Sequence, residues 1–410
     1  MPMRTIHDVA ILGAGVVGVS TAYWAAREGL SAIVVDARDS PAQETSFANG
    51  GQISVSHAEP WASPRVWRLI APALFDPQAS IRVRLNRDPR QWRWLLIFLA
   101  ESLPARFAQR ADTLLALAIE SAQALDAMQQ DLGFDAAPGR GILHLHDTAA
   151  EAKAWREIGS RLHRAGWPTQ SLGPAEALTL EPALATGDSR LYAATYAPGD
   201  RFGDAHAFAK RLADASARHG VDYRYNSRVT DLAPEGGAWR IHMEQGGQPA
   251  ELRARHVVVA LGCGSAPLLA RLGLSVPIAP AQGYSITVPI AHANGTPRLS
   301  VTDEANRLVI SPWRRAARGG VSRPRLARRG TAAGSHRADD RAGAAALSGC
   351  RRLCGGAPWV GHRPVTPGNL PLVGGTGLPG LWLNAGHGTL GWTLAAGSAR
   401  RLAKMLKSAD

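Results

Sequence analysis

Gly13, Gly15 and Gly18 stand in the order G-x-G-x-x-G, and an acid, Asp36, closes the apolar run that follows. Glycines at this spacing have a specific chemical use. Gly13 permits a tight turn, Gly15 lets a pyrophosphate approach the backbone, and Gly18 lets a helix pack close to a sheet. The free N–H groups and partial positive charge of that helix's first turn then hold the phosphates. Asp36 can accept hydrogen bonds from a ribose diol. The chemistry is dinucleotide binding, and the motif does not choose between FAD and NAD.

A second group of candidates lies near the other end of the chain. Arg363 stands between His362 and Pro364, where a guanidinium suits bidentate capture of a substrate carboxylate. The run GHGTLG, residues 386–391, leads into a long C-terminal helix. That helix N-terminus can stabilise negative charge on a reduced ring. His387 and Thr389 are candidate ligands within it; their plainer reading is as turn residues whose backbone matters more. A third glycine-rich turn, Gly262–Gly264, can also approach a cofactor.

These residues need elements to hold them. VAIL from Val9 reads as a buried parallel strand, VSTAYWAAREG as a helix stopped by Gly29, and SAIVVDA as a strand ending on Asp36. ETSFANGGQIS, residues 44–54, follows as a loop suited to leading a bound dinucleotide toward its reactive ring. A plain NAD domain more often continues into another βα unit here. Residues 200–275 repeat α/β patterning: DAHAFAKRLADASARHG is an amphipathic helix, VDYRYNSRVTDL and WRIHME are strands, and HVVVALGCG is a strand entering a turn. LWLNA precedes the 386–391 turn as a last strand.

Composition narrows the class. With 410 residues, 45% hydrophobic and 19% charged, the chain reads as a globular protein of two domains or one composite one. Its net charge of +13 is local: residues 313–354 hold 11 arginines against Asp339 and Asp340, and the remainder carries 35 basic against 31 acidic residues. A nucleic-acid partner is therefore not expected, and no interleaved aromatic pattern supports one. Cys263, Cys350 and Cys354 make no disulfide framework and no convincing metal site, which fits a reducing compartment. The apolar N-terminal run lacks the flanks of a signal peptide. WLLIFLA, residues 94–100, is too short to span a bilayer and reads as a buried helix or an interfacial patch.

Taken together, GAGVVGVSTAYWAAREG, ETSFANGGQIS, QGYSIT, GHRPVTPGNLPLVG and LNAGHGTLGWT resemble the D-amino acid oxidase-like family of flavoproteins, in particular its D-amino acid dehydrogenase branch. The resemblance covers about residues 8–311 and 356–407. It implies an α/β fold: a Rossmann-like FAD-binding domain from residues 1–60, 200–275 and 355–410. A discontinuous α+β substrate domain, residues 61–199 and 276–354, would be built on a mainly antiparallel sheet. By resemblance, FAD contacts carry over to Gly13, Gly15, Val16, Val17, Gly18, Asp36, Ser46, Asn49, Gly51, Gln52, Val229, Gly262, Gly386, Gly388, Thr389, Leu390 and Gly391. Arg363 matches the carboxylate clamp, Tyr284 lies in a segment reaching toward the substrate, and His387 is a candidate acid or base. No metal is implied.

The implied reaction is oxidative deamination: hydride leaves Cα of a D-amino acid for flavin N5, and the imino acid hydrolyses to a 2-oxo acid and ammonia. Electrons would pass to a respiratory-chain acceptor, which implies a cytoplasmic protein held peripherally at the inner face of the cell membrane. The alternatives are oxidation of a related imino or secondary amino acid, such as a hydroxyproline isomer, and a flavin-binding chain without turnover.

That last alternative rests on residues 312–354. SPWRRAARGGVSRPRLARRG, residues 311–330, has seven arginines, and the family pattern expects here a strand of the type R-V-A-G beside the flavin. PWRRAARGG can be encoded by codons that, read one base later, give RGDGLRVAG. LSGCRRLC, residues 347–354, can be encoded by codons that, read at the same offset and completed from the next glycine, give FPGAVDYA. The expectation is a frame-shifted, poorly ordered segment that lacks the strand flanking flavin and pocket.

Overall fold

The computed structural model describes residues 6–68, 87–186, 191–289, 296–312, 316–321 and 357–409, with the short pieces 70, 75, 82–83 and 325–326. In chain order the strands begin with β1 (Ile6–Leu12), β2 (Ala32–Val35), β3 (Gln52–Ile53), β4 (Arg82–Val83), β5 (Gly139–His146), β6 (Gln170–Leu172) and β7 (Ala193–Phe202). They continue with β8 (Asp222–Arg224), β9 (Ser227–Glu235), β10 (Ala238–Gln245), β11 (Gln248–Val259), β12 (Ala279–Pro289), β13 (Ser300–Asp303) and β14 (Leu308–Pro312). The last are β15 (Ala316–Val321), β16 (Arg325–Leu326), β17 (Ala357–Val365), β18 (Leu372–Gly375) and β19 (Leu381–Ala385). The helices used below are α1 (Val16–Arg27), α2 (Pro89–Glu101), α3 (Pro104–Leu132), α4 (Ala205–Arg218) and α5 (Gly391–Ala409).

The first sheet is built around β1. It runs parallel to β2 on one side and to β11 on the other, and β19 extends the parallel row beyond β11. Side chains alternate across a strand, so VAIL feeds both faces. Val9 and Ile11 pack under α1, α4 and α5, beside Phe208, Leu212, Trp392 and Leu402. Ala10 and Leu12 face the other way, under Trp239, Ile241 and Met243 of the β9–β10–β11 meander. Covering both faces explains why the strand is apolar at every position rather than alternating.

The second sheet has nine strands in the order β17-β12-β15-β14-β13-β5-β7-β3, with β6 beside β7. It is antiparallel except where β13 runs parallel to β5. The fold is thus α/β, with a Rossmann-like parallel sheet and a mainly antiparallel second sheet. The change from second sheet to first falls after Val365, since β17 pairs with β12. That is later than the expected change at 355.

One expectation is overturned. Residues 316–321 do form a strand: β15 pairs antiparallel with both β12 and β14, setting Gly319 opposite Ile286 and Ile310. Backbone N–H and C=O groups make a ladder whatever side chains accompany them, and β12 and β14 offer two open edges. β15 also lies where the offset reading places L-R-V-A-G. The rest of the arginine-rich segment, residues 313–315, 322–324 and 327–354, lies outside the described residues, Cys350 and Cys354 among them.

Candidate active site

The dinucleotide half forms at the β1–α1 turn. Gly13 has φ +106°, and its N–H donates to the Val35 carbonyl at 2.8 Å. A side chain at Gly18 would overlap the Gly13 carbonyl, so the first turn of α1 sits directly on the glycine turn. Gly15 is the N-cap residue and brings no capping side chain; a Cβ there would meet only Ser46 Oγ, at 3.5 Å. The helix mouth is therefore open to a phosphate, with Ser46 at its rim accepting from Val16 N–H at 3.2 Å. Val17 stands in the first turn, half-buried.

Asp36 ends the β2 run, where its carboxylate accepts from Ala14 N–H at 2.6 Å and Arg38 N–H at 2.8 Å. Burial raises its pKa against the lowering effect of those two bonds. Each oxygen has a further lone pair for a ribose hydroxyl. Uncapped helix mouth, bare backbone at Gly15 and an oriented carboxylate all fit the pyrophosphate and ribose of FAD.

The loop from Ala42 to Gln52 joins this half to the second sheet. Ala42 N–H donates to Ala14 carbonyl at 3.0 Å, and Thr45 Oγ1 donates to His362 carbonyl at 2.8 Å. Ser285 Oγ donates to Ala48 carbonyl at 2.7 Å, and Ser311 Oγ to Gly50 carbonyl at 2.6 Å. Asn49 Oδ1 accepts from Gly51 N–H at 3.0 Å, which fixes the turn. Gln52 aims its amide into the second sheet, donating to Ser300 Oγ and Thr302 Oγ1 at 2.8 and 2.9 Å. The loop thus ties the β1–α1 turn to the second sheet, with the candidate site residues on both sides of it.

Arg363 lies on β17 opposite Ala281 of β12, within the stretch that Thr45 contacts. It is half-buried, and burial pushes its pKa down to about 10, so it stays protonated at neutral pH. Its guanidinium leans over Gly283, two residues along β12 on the same face. Gly262 opens the turn after β11 and faces Pro364, while Cys263 Sγ donates to His362 carbonyl at 3.5 Å. Burial pushes the Cys263 thiol up to about 12 and keeps it protonated.

Tyr284 and His387 are held differently, His387 by a backbone bridge to Val365, two residues beyond Arg363. Tyr284 is fully buried on β12, paired with Val360. The period of two places it on the opposite sheet face from Gly283 and Arg363, so the ladder does not bring it to the guanidinium. His387 is buried behind the 386–391 turn with Nε2 3.0 Å from Ser398 Oγ on α5. Burial lowers its pKa to about 3, so the ring is neutral and anchors the helix. Gly386, Gly388 and Leu390 are buried around it, Gly391 starts α5, and Thr389 is exposed at the turn's tip. Val229 lies farther off, on β9 opposite Met243 at a bulge.

The sequence reading missed a buried polar network. Asp200 on β7 accepts from Val55 N–H at 3.1 Å, Trp167 Nε1 at 2.9 Å and the Ser56 hydroxyl. Ser56 Oγ meets His144 Nε2 at 3.0 Å, and His144 Nδ1 meets Glu304 at 3.2 Å. His57 reaches the same carboxylate at 3.3 Å. Desolvation lowers the His57 pKa, but the charge of Glu304, its hydrogen bond and the nearby Glu59 and Asp200 carboxylates together outweigh it and raise His57 to about 9. Glu304 is itself held well below the usual carboxylate range: desolvation raises it, and His57 with His144 outweighs that. His144 is lowered by burial. The only signal was HLH at the end of β5, which by itself reads as a half-exposed strand. Among the described residues no cluster fit for a metal occurs.

An open helix mouth on a parallel sheet, linked by one loop to an antiparallel sheet carrying a half-buried arginine, is the frame of a flavin-dependent oxidoreductase. The chain belongs to the DAO family of FAD dependent oxidoreductases, whose family model matches residues 8–405. It is 40% identical to a D-amino acid dehydrogenase of Paramagnetospirillum magneticum over 97% of this chain and 94% of that protein. It is 39% identical to a D-amino acid dehydrogenase of Dechloromonas aromatica over 97% and 96%. Among solved structures, a glycine oxidase from Geobacillus kaustophilus superposes with TM-score 0.75 at 23% identity, covering 98% of this chain and 95% of the other. An L-proline dehydrogenase from P. horikoshii gives 0.74 at 16% identity, covering 98% and 93%, and at this distance the likeness is one of fold.

Proposed function

We propose that the chain carries out FAD-dependent oxidative deamination of D-amino acids, yielding 2-oxo acids and ammonia. The observation that carries the reading is Arg363, a protonated guanidinium on the β17 edge of the second sheet, beside the loop that leaves the dinucleotide site. The choice of D-amino acids is supported by the names of the relatives at 40% and 39% identity. FAD, when bound, accepts the hydride that leaves Cα.

The chain's own residues bind and orient. Arg363 takes the substrate carboxylate bidentately and so fixes the rotation of Cα. The α1 mouth, Ser46 and Asp36 hold the phosphates and ribose, and Asn49, Gly51, Gln52, Val229, Gly262 and the 386–391 turn line the remainder. The α5 N-terminus supplies positive potential where negative charge develops. A substrate amine that arrives neutral needs no protein base at Cα–H, and neutral His387 is not required as one. Water then adds to the imino acid and releases ammonia.

We read the electron acceptor as a component of a respiratory chain, met at the membrane surface from the cytoplasmic side. Among the described residues no helix is long and apolar enough to cross a membrane. Trp92 and Leu96 of α2 are exposed, as are Trp67 and Leu103, amid exposed Arg65, Arg68, Arg90 and Arg93. This mixture suits an anionic bilayer surface.

The test is turnover of the FAD-loaded chain with an artificial acceptor over D- and L-amino acids and hydroxyproline isomers. D-amino acids should give 2-oxo acid and ammonia in equal amounts. Turnover confined to L-amino acids or cyclic imino acids would overturn the reading.

A further inference from the structure

The β12–β17 ladder sets two glycines directly opposite each other, Gly283 and Gly361. On the same face, one pair along, stand Ala281 and Arg363; one pair the other way stand Ser285 and Trp359. Ser285 donates to the Ala48 carbonyl, and the Trp359 ring lies 6.5 Å from that of Phe47, so this face looks onto the loop at the cofactor side. The bare glycine pair forms a floor. A Cβ on Gly361 would overlap the Trp359 indole. A Cβ on Gly283 would stand 2.9 Å from Arg363 Cζ, 3.0 Å from one terminal nitrogen and 3.1 Å from Nε. Indole and guanidinium therefore lie over the two halves of one floor.

We infer that Gly283 is a positioning residue for the carboxylate clamp: its missing side chain sets the height and lateral place of the Arg363 guanidinium, and Trp359 over Gly361 bounds the other edge. The inference rests on the reading of Arg363 given above. Contacts at 2.9–3.1 Å are closer than a methyl group tolerates, and the group in the way is the far end of a flexible side chain. Gly283→Ala should thus leave the sheet intact and displace the guanidinium. A misplacement of ångström size is enough to spoil orientation at a reacting centre.

The test is Gly283→Ala in the FAD-loaded chain, with Arg363→Ala and the double variant alongside. Gly283→Ala should keep its FAD and thermal transition, raise KM for the best D-amino acid by about tenfold to a hundredfold, and lower kcat as well, because the guanidinium orients Cα besides binding the carboxylate. Propionate, a bare carboxylate, should perturb the flavin spectrum of the parent and do so more weakly in the variant. In the Arg363→Ala background the same change should have no further effect on KM or propionate binding, because its route is through the guanidinium. Unchanged KM and propionate affinity in Gly283→Ala, or full additivity in the double variant, would overturn the inference. Should Gly283→Ala fail to hold FAD, Gly283→Ala/Arg363→Lys, without the planar group, should regain it; no recovery also overturns it. Propionate binding that responds to Gly283→Ala in a chain that turns over no D-amino acid would leave the clamp standing and refute the proposed reaction alone.

Discussion

Gly18 rests on the carbonyl oxygen of Gly13, with no room for a Cβ between them. This contact seats the first turn of α1 at the end of β1 and leaves bare backbone at Gly15 on the helix mouth. Gly18→Ala must push the helix off the turn. The overpacking should cost about 1–3 kcal/mol, and the purified variant should carry a markedly lower FAD content. Absorbance of released flavin per chain, measured beside the thermal transition, checks both.

Arg363 gives the sharpest functional prediction. Arg363→Met keeps bulk and removes the charge, and should raise KM for D-amino acids by about a hundredfold or more while FAD stays bound. Arg363→Lys should recover only part of this, because an ammonium cannot make the parallel pair of bonds. Steady-state kinetics on the FAD-loaded variants decides it.

His387 should behave as an anchor. With its ring neutral and Nε2 beside Ser398, His387→Gln should leave the pH profile of kcat in place. It should cost about 1 kcal/mol of stability through the lost buried hydrogen bond. A profile that loses a limb in the variant would return His387 to the chemistry.

The His57–Glu304 pair should be visible in stability against pH. His57 is raised from 6.5 to about 9 on folding, so its contribution is fully present below about 6.5 and is lost as pH rises through 9. Glu304 is lowered from 4.5, so its contribution is present above 4.5 and is lost as pH falls through the depressed value. Thermal midpoints of the parent should decline between about pH 7 and 10, and Glu304→Gln should flatten that decline.

Much of the first sheet was legible because each piece carried its own period. VAIL, the glycine turn, the α1 stripe and SAIVVD state strand, helix and strand locally, and their order implies the parallel pairing. What depended on a partner strand was not legible. The face Tyr284 occupies follows from its register with Val360, which no local pattern encodes. The same holds for β17, whose place in the second sheet rests on nine paired positions with β12. β15 was not expected because the residues of the family strand are missing from 316–321, whereas its pairing uses backbone groups between two waiting edges. Asp200 and His144 carry no local signal of burial, and their bonding through Ser56 is what accounts for it.

The central claim is met most directly by a single-turnover experiment. The FAD-loaded chain is mixed without oxygen or acceptor with a D-amino acid, and separately with its L-enantiomer, and the oxidised-flavin band is followed. The account predicts bleaching by the D-enantiomer, one 2-oxo acid released per flavin, and no bleaching by the L-enantiomer. An oxidised flavin that persists with every D-amino acid, or bleaches only with the L-enantiomer, would contradict it.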